Sequence, residues 1–178
     1  MELWDILDEN GEKTGRVIER GKPLKKGEYH LVVDSWIMDG QGRFLITRRS
    51  PEKSYAGLWE PTTGSAIAGE DSFTAVHRET LEETGLDIKR ENTEFVGRYR
   101  LFKTETVKYF REVYLIRQDF ELSDVRLQPG ETDGAKKASA EDIRKMIAEG
   151  TFLPGQIVFY TEELFERARI QSTSCPSL

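Results

Sequence analysis

Between Gly64 and Leu86 the chain reads GSAIAGEDSFTAVHRETLEETGL, and this run constrains the rest of the molecule more than any other. Wound as a helix at about 100° per residue, it gathers Phe73, Val76, Thr80, Leu81 and Thr84 on one broad stripe. Glu79, Glu82 and Glu83 fall on the adjoining arc, and Gly85 stops the run. One side of this helix packs and the other is acidic. On the apolar side, His77 falls between Phe73, Leu81 and Thr84, which predicts a packed histidine and not a ligand.

Carboxylates at i, i+3 and i+4 repel one another by tenths of a kcal/mol per pair. They also stand near the C-terminal end of the helix, where the macrodipole favours cations. A charge run alone is usually a solvated face. A hard divalent ion, Mg²⁺ or Mn²⁺, offsets the repulsion directly, because it takes its octahedron of oxygens from a few carboxylates, water and substrate phosphate.

The flanks favour the ion. Gly64, Glu70, Arg78, Glu79, Thr80, Glu82, Glu83, Gly85 and Leu86 follow the pattern G-x5-E-x7-R-E-U-x-E-E-x-G-U, and in this the chain resembles the Nudix hydrolases. Thr80 is the one soft departure, since the family prefers a bulkier aliphatic residue there. The resemblance implies an α/β/α sandwich around a mixed β-sheet. It also implies a divalent-metal-dependent hydrolase that cleaves a diphosphate linkage in a nucleoside diphosphate derivative, either a nucleotide or a nucleotide conjugate. In that reading Glu79 and Glu83 are the main metal ligands, Glu82 is a further ligand or the general base, and the carbonyl of Gly64 completes the shell. Arg78 pairs with Glu70 and braces the loop against the helix.

A second, narrower resemblance covers His30 to Trp59, HLVVDSWIMDGQGRFLITRRSPEKSYAGLW, which is similar to the isopentenyl-diphosphate isomerases, a Nudix branch with a different reaction. The catalytic cysteine of that branch falls on Thr63, whose hydroxyl is too weak an acid for the thiol's proton transfer. Two of its metal histidines fall on Pro23 and Ser65, leaving only His30 in place. Hydrolysis is therefore favoured over isomerisation; a non-catalytic nucleotide-binding module is the third reading, and the intact acidic triad speaks against it. Arg49 and Lys53 match positions that hold the isomerase's diphosphate, and both residue types suit phosphate oxygens. Glu112 matches the isomerase's catalytic glutamate. Inside Phe110 to Ile116 its carboxylate needs a partner, a metal being one candidate, unless the strand lies at a sheet edge. Glu131 is the weaker contender for a distal carboxylate. Trp4, Trp36, Trp59, Tyr29 and Phe102 are candidates for a base-stacking surface.

With 178 residues, 37% of them hydrophobic, the chain suits one domain with an extension. The division expected is a hairpin and connector over 1–28, a Nudix domain over 29–169 and a flexible tail over 170–178. A net charge of −6 argues against gripping a nucleic acid polymer by bulk electrostatics. No run approaches the apolar length of a membrane span and no secretory pattern opens the chain, which points to the cytoplasm. The partner expected is a small-molecule diphosphate; a homodimer is left open. The lone cysteine, Cys175, reads as an inert tail thiol.

Along the chain, strands are expected over 2–8, 15–20, 29–38, 44–48, 94–101 and 106–118, the last covered on both faces and central in its sheet. Residues 50–63 and 128–134 read as loops, Ser139 to Asp142 as a capping box opening a helix to about 149, and 157–169 as a final helix.

Overall fold

Lys108–Arg117 is buried along almost its whole length, and the reason is its position: it pairs in parallel with one strand and antiparallel with another. In the computed structural model, which describes residues 1–102, 104–105, 107–154 and 158–172, nine strands and three α-helices are seen among the described residues. The strands are β1 (Leu3–Leu7), β2 (Lys13–Glu19), β3 (His30–Met38), β4 (Phe44–Arg49), β5 (Trp59–Glu60), β6 (Thr62–Ser65), β7 (Thr93–Phe102), β8 (Lys108–Arg117) and β9 (Thr132–Ala138). The helices are α1 (Ser72–Thr84), α2 (Ala140–Ala148) and α3 (Thr161–Ser172).

β1 and β2 form a separate antiparallel hairpin, as expected. The main sheet runs β5-β4-β3-β8-β7, with β6 added against β3 and β9 against β4. Only the β3–β8 pair is parallel, so the sheet is mixed.

Alternation along β3 and β8 divides the core in two. Trp36, Met38, Val113 and Leu115 pack with Ile143 of α2 and Leu164 and Phe165 of α3. Val33, Ile37, Tyr114 and Ile116 face the other way, onto Ala75 and Val76 of α1. One helix on one face and two on the other make the α/β/α sandwich.

The local signals act as their chemistry requires. Asp71 caps α1 by accepting from Thr74 N at 2.7 Å, and Gly85 closes it in the left-handed conformation, φ 73°, donating to Leu81 O. Ser139 and Asp142 form the reciprocal capping box of α2. No helix among the described residues is long and apolar enough to cross a membrane.

Several expectations are corrected. The stretch 50–63 is not loop throughout: Thr47 and Arg48 of β4 draw Trp59–Glu60 into a ladder, and β3 draws in Thr62–Ser65. The loop reading of 128–134 ends early, because Thr132 onward pairs with β4 as β9. Leu81 lies at the margin of its stripe and is 43% exposed. His77 sits at the same margin, where its side chain keeps part of its surface and Nε2 lies 2.7 Å from Asp87 Oδ1. The final helix starts at Thr161, after a 3-10 turn over Val158–Tyr160; Ile157, from which it was expected, and Cys175 lie outside the described residues.

Candidate active site

Two residues before α1's acidic arc, Val76 and Ala75 seat the helix on the sheet, and this seating brings Glu79 against Gly64 of β6. The fit is so close that a β-carbon on residue 64 would stand 1.9 Å from Glu79 Cδ. Only glycine permits that approach. Thr80, below them, is fully buried, and its hydroxyl is satisfied by Val76 O at 2.7 Å and Ser35 Oγ at 2.8 Å.

Arg78 organises the carboxylates around it. Its guanidinium donates to Glu70 Oε1 at 2.7 Å and Oε2 at 3.0 Å, and to Ser65 O at 3.0 Å. It also reaches Glu79 at 3.0 Å and Glu82 at 3.1 Å. These bonds, Glu70 first, keep the guanidinium firmly protonated. Glu70 accepts in turn from Ile67 N at 3.0 Å, so the loop before α1 is tied to the helix through one side chain.

Glu83 has no such partner among the described residues. Burial, then the like charges of Glu79, Glu60 and Glu131, push its carboxyl well above the usual range, opposed by Lys53. Burial also raises Glu79, with Arg78 opposing. Four acids from α1, β5 and the loop before β9 thus act on one another without enough positive charge. No three of the described His, Cys, Asp and Glu side chains stand at metal-ligand spacing in this arrangement, in which Glu79 and Glu82 are both paired with Arg78.

Glu79, Glu82, Glu83, Glu131, Lys53 and Gly64 line one cavity of about 230 Å³. A second, of about 510 Å³, is lined by Trp4, Arg20, His30, Arg49, Lys53, Tyr109 and Arg111 among others. Arg20, Lys53, Thr63 and Gly64 border both, so the two are contiguous across β6. A third cavity of about 360 Å³, between β4, α2 and α3, holds none of the candidate residues.

Of the two candidate diphosphate cations, Lys53 pairs with Glu131 at the junction of the two cavities. Arg49 lines the larger cavity but is engaged, donating to Ser54 O at 2.6 Å and Glu60 Oε1 at 2.5 Å. Glu112 stands apart. It faces the α1 side of β8, receives Arg98 Nε at 2.6 Å and the Tyr114 hydroxyl at 3.1 Å, and lines neither cavity. Its ion-pair partner here is Arg98, and its strand is central in the sheet, so the edge-strand alternative for Glu112 is corrected. Among the aromatic candidates only Trp4 lines the larger cavity. Trp36 and Tyr29 are core, Trp59 is covered by Lys136 at 4.2 Å, and Phe102 ends the edge strand β7.

Three contributors were not singled out from sequence. Glu60 is buried, and burial, opposed by Arg49, raises its carboxyl to about 7. Asp34, with no exposed surface, accepts from Arg111 at 2.5 and 2.7 Å, from Thr63 Oγ1 at 2.9 Å and from the Tyr160 hydroxyl, fixing β6 to the sheet. A signal existed: Asp34 and Arg111 interrupt two otherwise apolar central strands, where a charge must be paired. Glu60 had none, since its burial depends on the β4–β5 pairing.

A model of the NUDIX domain matches residues 28–157. The chain belongs to the Nudix family. It is similar to an uncharacterized Nudix hydrolase of Listeria monocytogenes, 34% identical over 167 residues that make up 93% of this chain and 94% of that protein. An isopentenyl-diphosphate Delta-isomerase of Pectobacterium atrosepticum is 37% identical over 83 residues, 46% of each chain. The fold matches a crystal structure of a Deinococcus radiodurans protein with a TM-score of 0.73 and 27% identity, over 94% of this chain and 99% of that one. The chain is thus a Nudix hydrolase, of a family that acts on pyrophosphate bonds in small molecules, and its isomerase likeness is confined to part of its length.

Proposed function

We propose that this Nudix hydrolase cleaves the diphosphate linkage of a nucleoside diphosphate derivative with Mg²⁺ or Mn²⁺ held by Glu79, Glu83 and the carbonyl of Gly64. The observation that carries the reading is the continuity of the acidic cavity with the larger, cation-rimmed one across Thr63 and Gly64. The donor set fits such an ion: every ligand is a hard oxygen, the Gly64 cradle admits Glu79 where a side chain would not, and the repulsion at Glu83 calls for positive charge. When bound, the ion supplies Lewis acidity and a water of lowered pKa.

The chain's own residues do the rest. Lys53, at the junction, takes phosphate oxygens, with Arg49 beside it, and Arg20 adds a third cation at the same border. Arg78 keeps Glu70 and the loop it ends fixed against α1. Glu82 keeps 49% of its side-chain surface and serves as a further ligand or as the acceptor of the attacking water's proton. Glu131, across the cavity, is the distal carboxylate. Residues 29–169 form the catalytic domain in this reading, with 1–28 an extension.

The isomerase reaction is not supported. Thr63 Oγ1, which stands where the isomerase cysteine falls, is committed to Asp34 Oδ1 at 2.9 Å.

Incubating the protein with nucleoside diphosphates, sugar nucleotides and dinucleotides in Mg²⁺ or Mn²⁺ tests the reading. Metal-dependent release of phosphate or a monophosphate, lost in Glu83→Gln, is expected. Equal turnover by that variant overturns the site, and isomer formation from isopentenyl diphosphate overturns the reaction.

A further inference from the structure

We infer that the N-terminal hairpin is part of the substrate site, and that the cavity it closes receives a nucleobase, with Trp4 as the contact that selects it. The inference rests on the hydrolase reading above only for where the diphosphate lies.

The hairpin is fastened to the site from two directions. Leu7 and Tyr29 exchange backbone hydrogen bonds of 2.8 and 3.0 Å, joining β1 to the residue before β3. On the other side, Ala68 N donates to Leu3 O at 2.8 Å, Gly69 N to Asp5 Oδ2 at 2.9 Å, and Lys13 Nζ to Glu70 O at 2.8 Å. The loop that Arg78 ties to α1 is therefore also the loop that holds the hairpin. This double fastening puts Trp4 of β1 and Arg20, the residue after β2, on the wall of the larger cavity.

The chemistry of that wall selects a ligand class. Trp4 stacks on His30, with ring centroids 4.0 Å apart and planes 6° from parallel, and Tyr109 follows at 5.6 Å from His30. The Arg111 guanidinium lies 5.5 Å over the Tyr109 ring. Trp4 Nε1, His30 Nδ1 and Arg111 Nε are buried and have no hydrogen-bond partner among the described residues. Unpaired buried polar atoms are costly, and they make this wall more polar than a hydrocarbon tail of the isopentenyl kind requires. A nucleobase offers a flat π-face for the aromatic wall and polar edge groups for a rim that carries Arg20, Arg49 and Lys53. Burial lowers His30 to about 4, so at neutral pH its imidazole is uncharged and stacks on Trp4 as a neutral ring. Arg20, bordering both cavities, is placed between the base and the metal-binding acids, where a diphosphate would run.

The test uses the full chain with Mg²⁺ and hydrolysis-resistant probes: α,β-methylene analogues of ADP, CDP, GDP and UDP, with methylenediphosphonate as the base-free control. Calorimetry of the wild type should show at least one nucleoside analogue binding about tenfold or more tighter than the control. Trp4→Ala should erase that advantage while leaving the control's affinity within about twofold. Equal binding in the wild type, absent binding, or parallel weakening of both probes in the variant overturns the inference. Independently of any variant, nuclear Overhauser contacts between base protons and the Trp4 indole are expected in the wild-type complex, and their absence overturns it too. The hydrolase reading fails differently, as missing metal-dependent turnover with the base preference intact.

Discussion

The carboxyl carbon of Glu79 occupies space that a β-carbon on residue 64 would need, the two positions being 1.9 Å apart. The Glu79 side chain can lie against β6 only while residue 64 has no side chain of its own. Gly64→Ala is therefore expected to push Glu79 out of the cavity, cutting turnover on the order of a hundredfold and stability by about 1–3 kcal/mol. Initial rates and thermal melts of the variant check this; a variant as active as the wild type would show that the close approach is dispensable.

Glu83 should trade stability for activity. Burial and three neighbouring acids disfavour its charge, so Glu83→Gln is expected to raise the melting temperature in metal-free buffer by a few degrees, about 1 kcal/mol, while abolishing turnover. Added Mg²⁺ or Mn²⁺ should raise the melting temperature of the wild type more than that of the variant. Scanning calorimetry with and without the metal reads both effects.

Arg78 holds five oxygens in a planar fork, which an ammonium cannot reproduce. Arg78→Lys is expected to lower stability by roughly 1–3 kcal/mol and to weaken the apparent metal affinity, read as a higher Mg²⁺ concentration for half-maximal rate.

His30 gives a pH signature. Its folded pKa of about 4 lies below the ordinary 6.5, so the unfolded chain binds the extra proton first. Its share of stability is complete above about pH 6.5 and is lost as pH falls towards about 4, roughly 3 kcal/mol over the window. Glu60 works in the opposite sense, its raised pKa favouring the folded state on acidification towards 4.5. The clean measurement is hence the difference between wild type and His30→Gln in urea melts at several pH values: the wild type should lose stability faster than the variant on acidification through that window.

Glu112→Gln separates the two faces of β8. Its carboxylate serves Arg98 and Tyr114 on the α1 side, so turnover should stay within about twofold of wild type while stability falls by about 1 kcal/mol. A large fall in kcat would return Glu112 to the reaction.

What the sequence by itself determined is whatever depends on neighbours along the chain. The spacing of Arg78, Glu79, Glu82 and Glu83 placed the acids on one arc of a helix, Gly85 ended that helix, and the capping box at Ser139 opened another. The doubly apolar run of β8 announced a strand covered on both sides, hence a sheet between helices. Tertiary structure decided the rest, because it turns on contacts between residues far apart in the chain. β5, β6 and β9 are too short or too polar to form alone and exist through pairing with β3 and β4. Leu81 and His77 share α1's apolar side, but the sheet reaches only as far as Thr80 and Thr84 and leaves both at its margin. Glu112 and Arg111 are adjacent in sequence, yet the pleat of β8 sends one to Arg98 beside α1 and the other, which lines the larger cavity, to Asp34. The hairpin's two contributions, Trp4 and Arg20, reach one wall only because β1 is fastened to both Tyr29 and the Glu70 loop. Local spacing fixes which side chains share a surface of one element, and burial against distant partners fixes which of those surfaces meet.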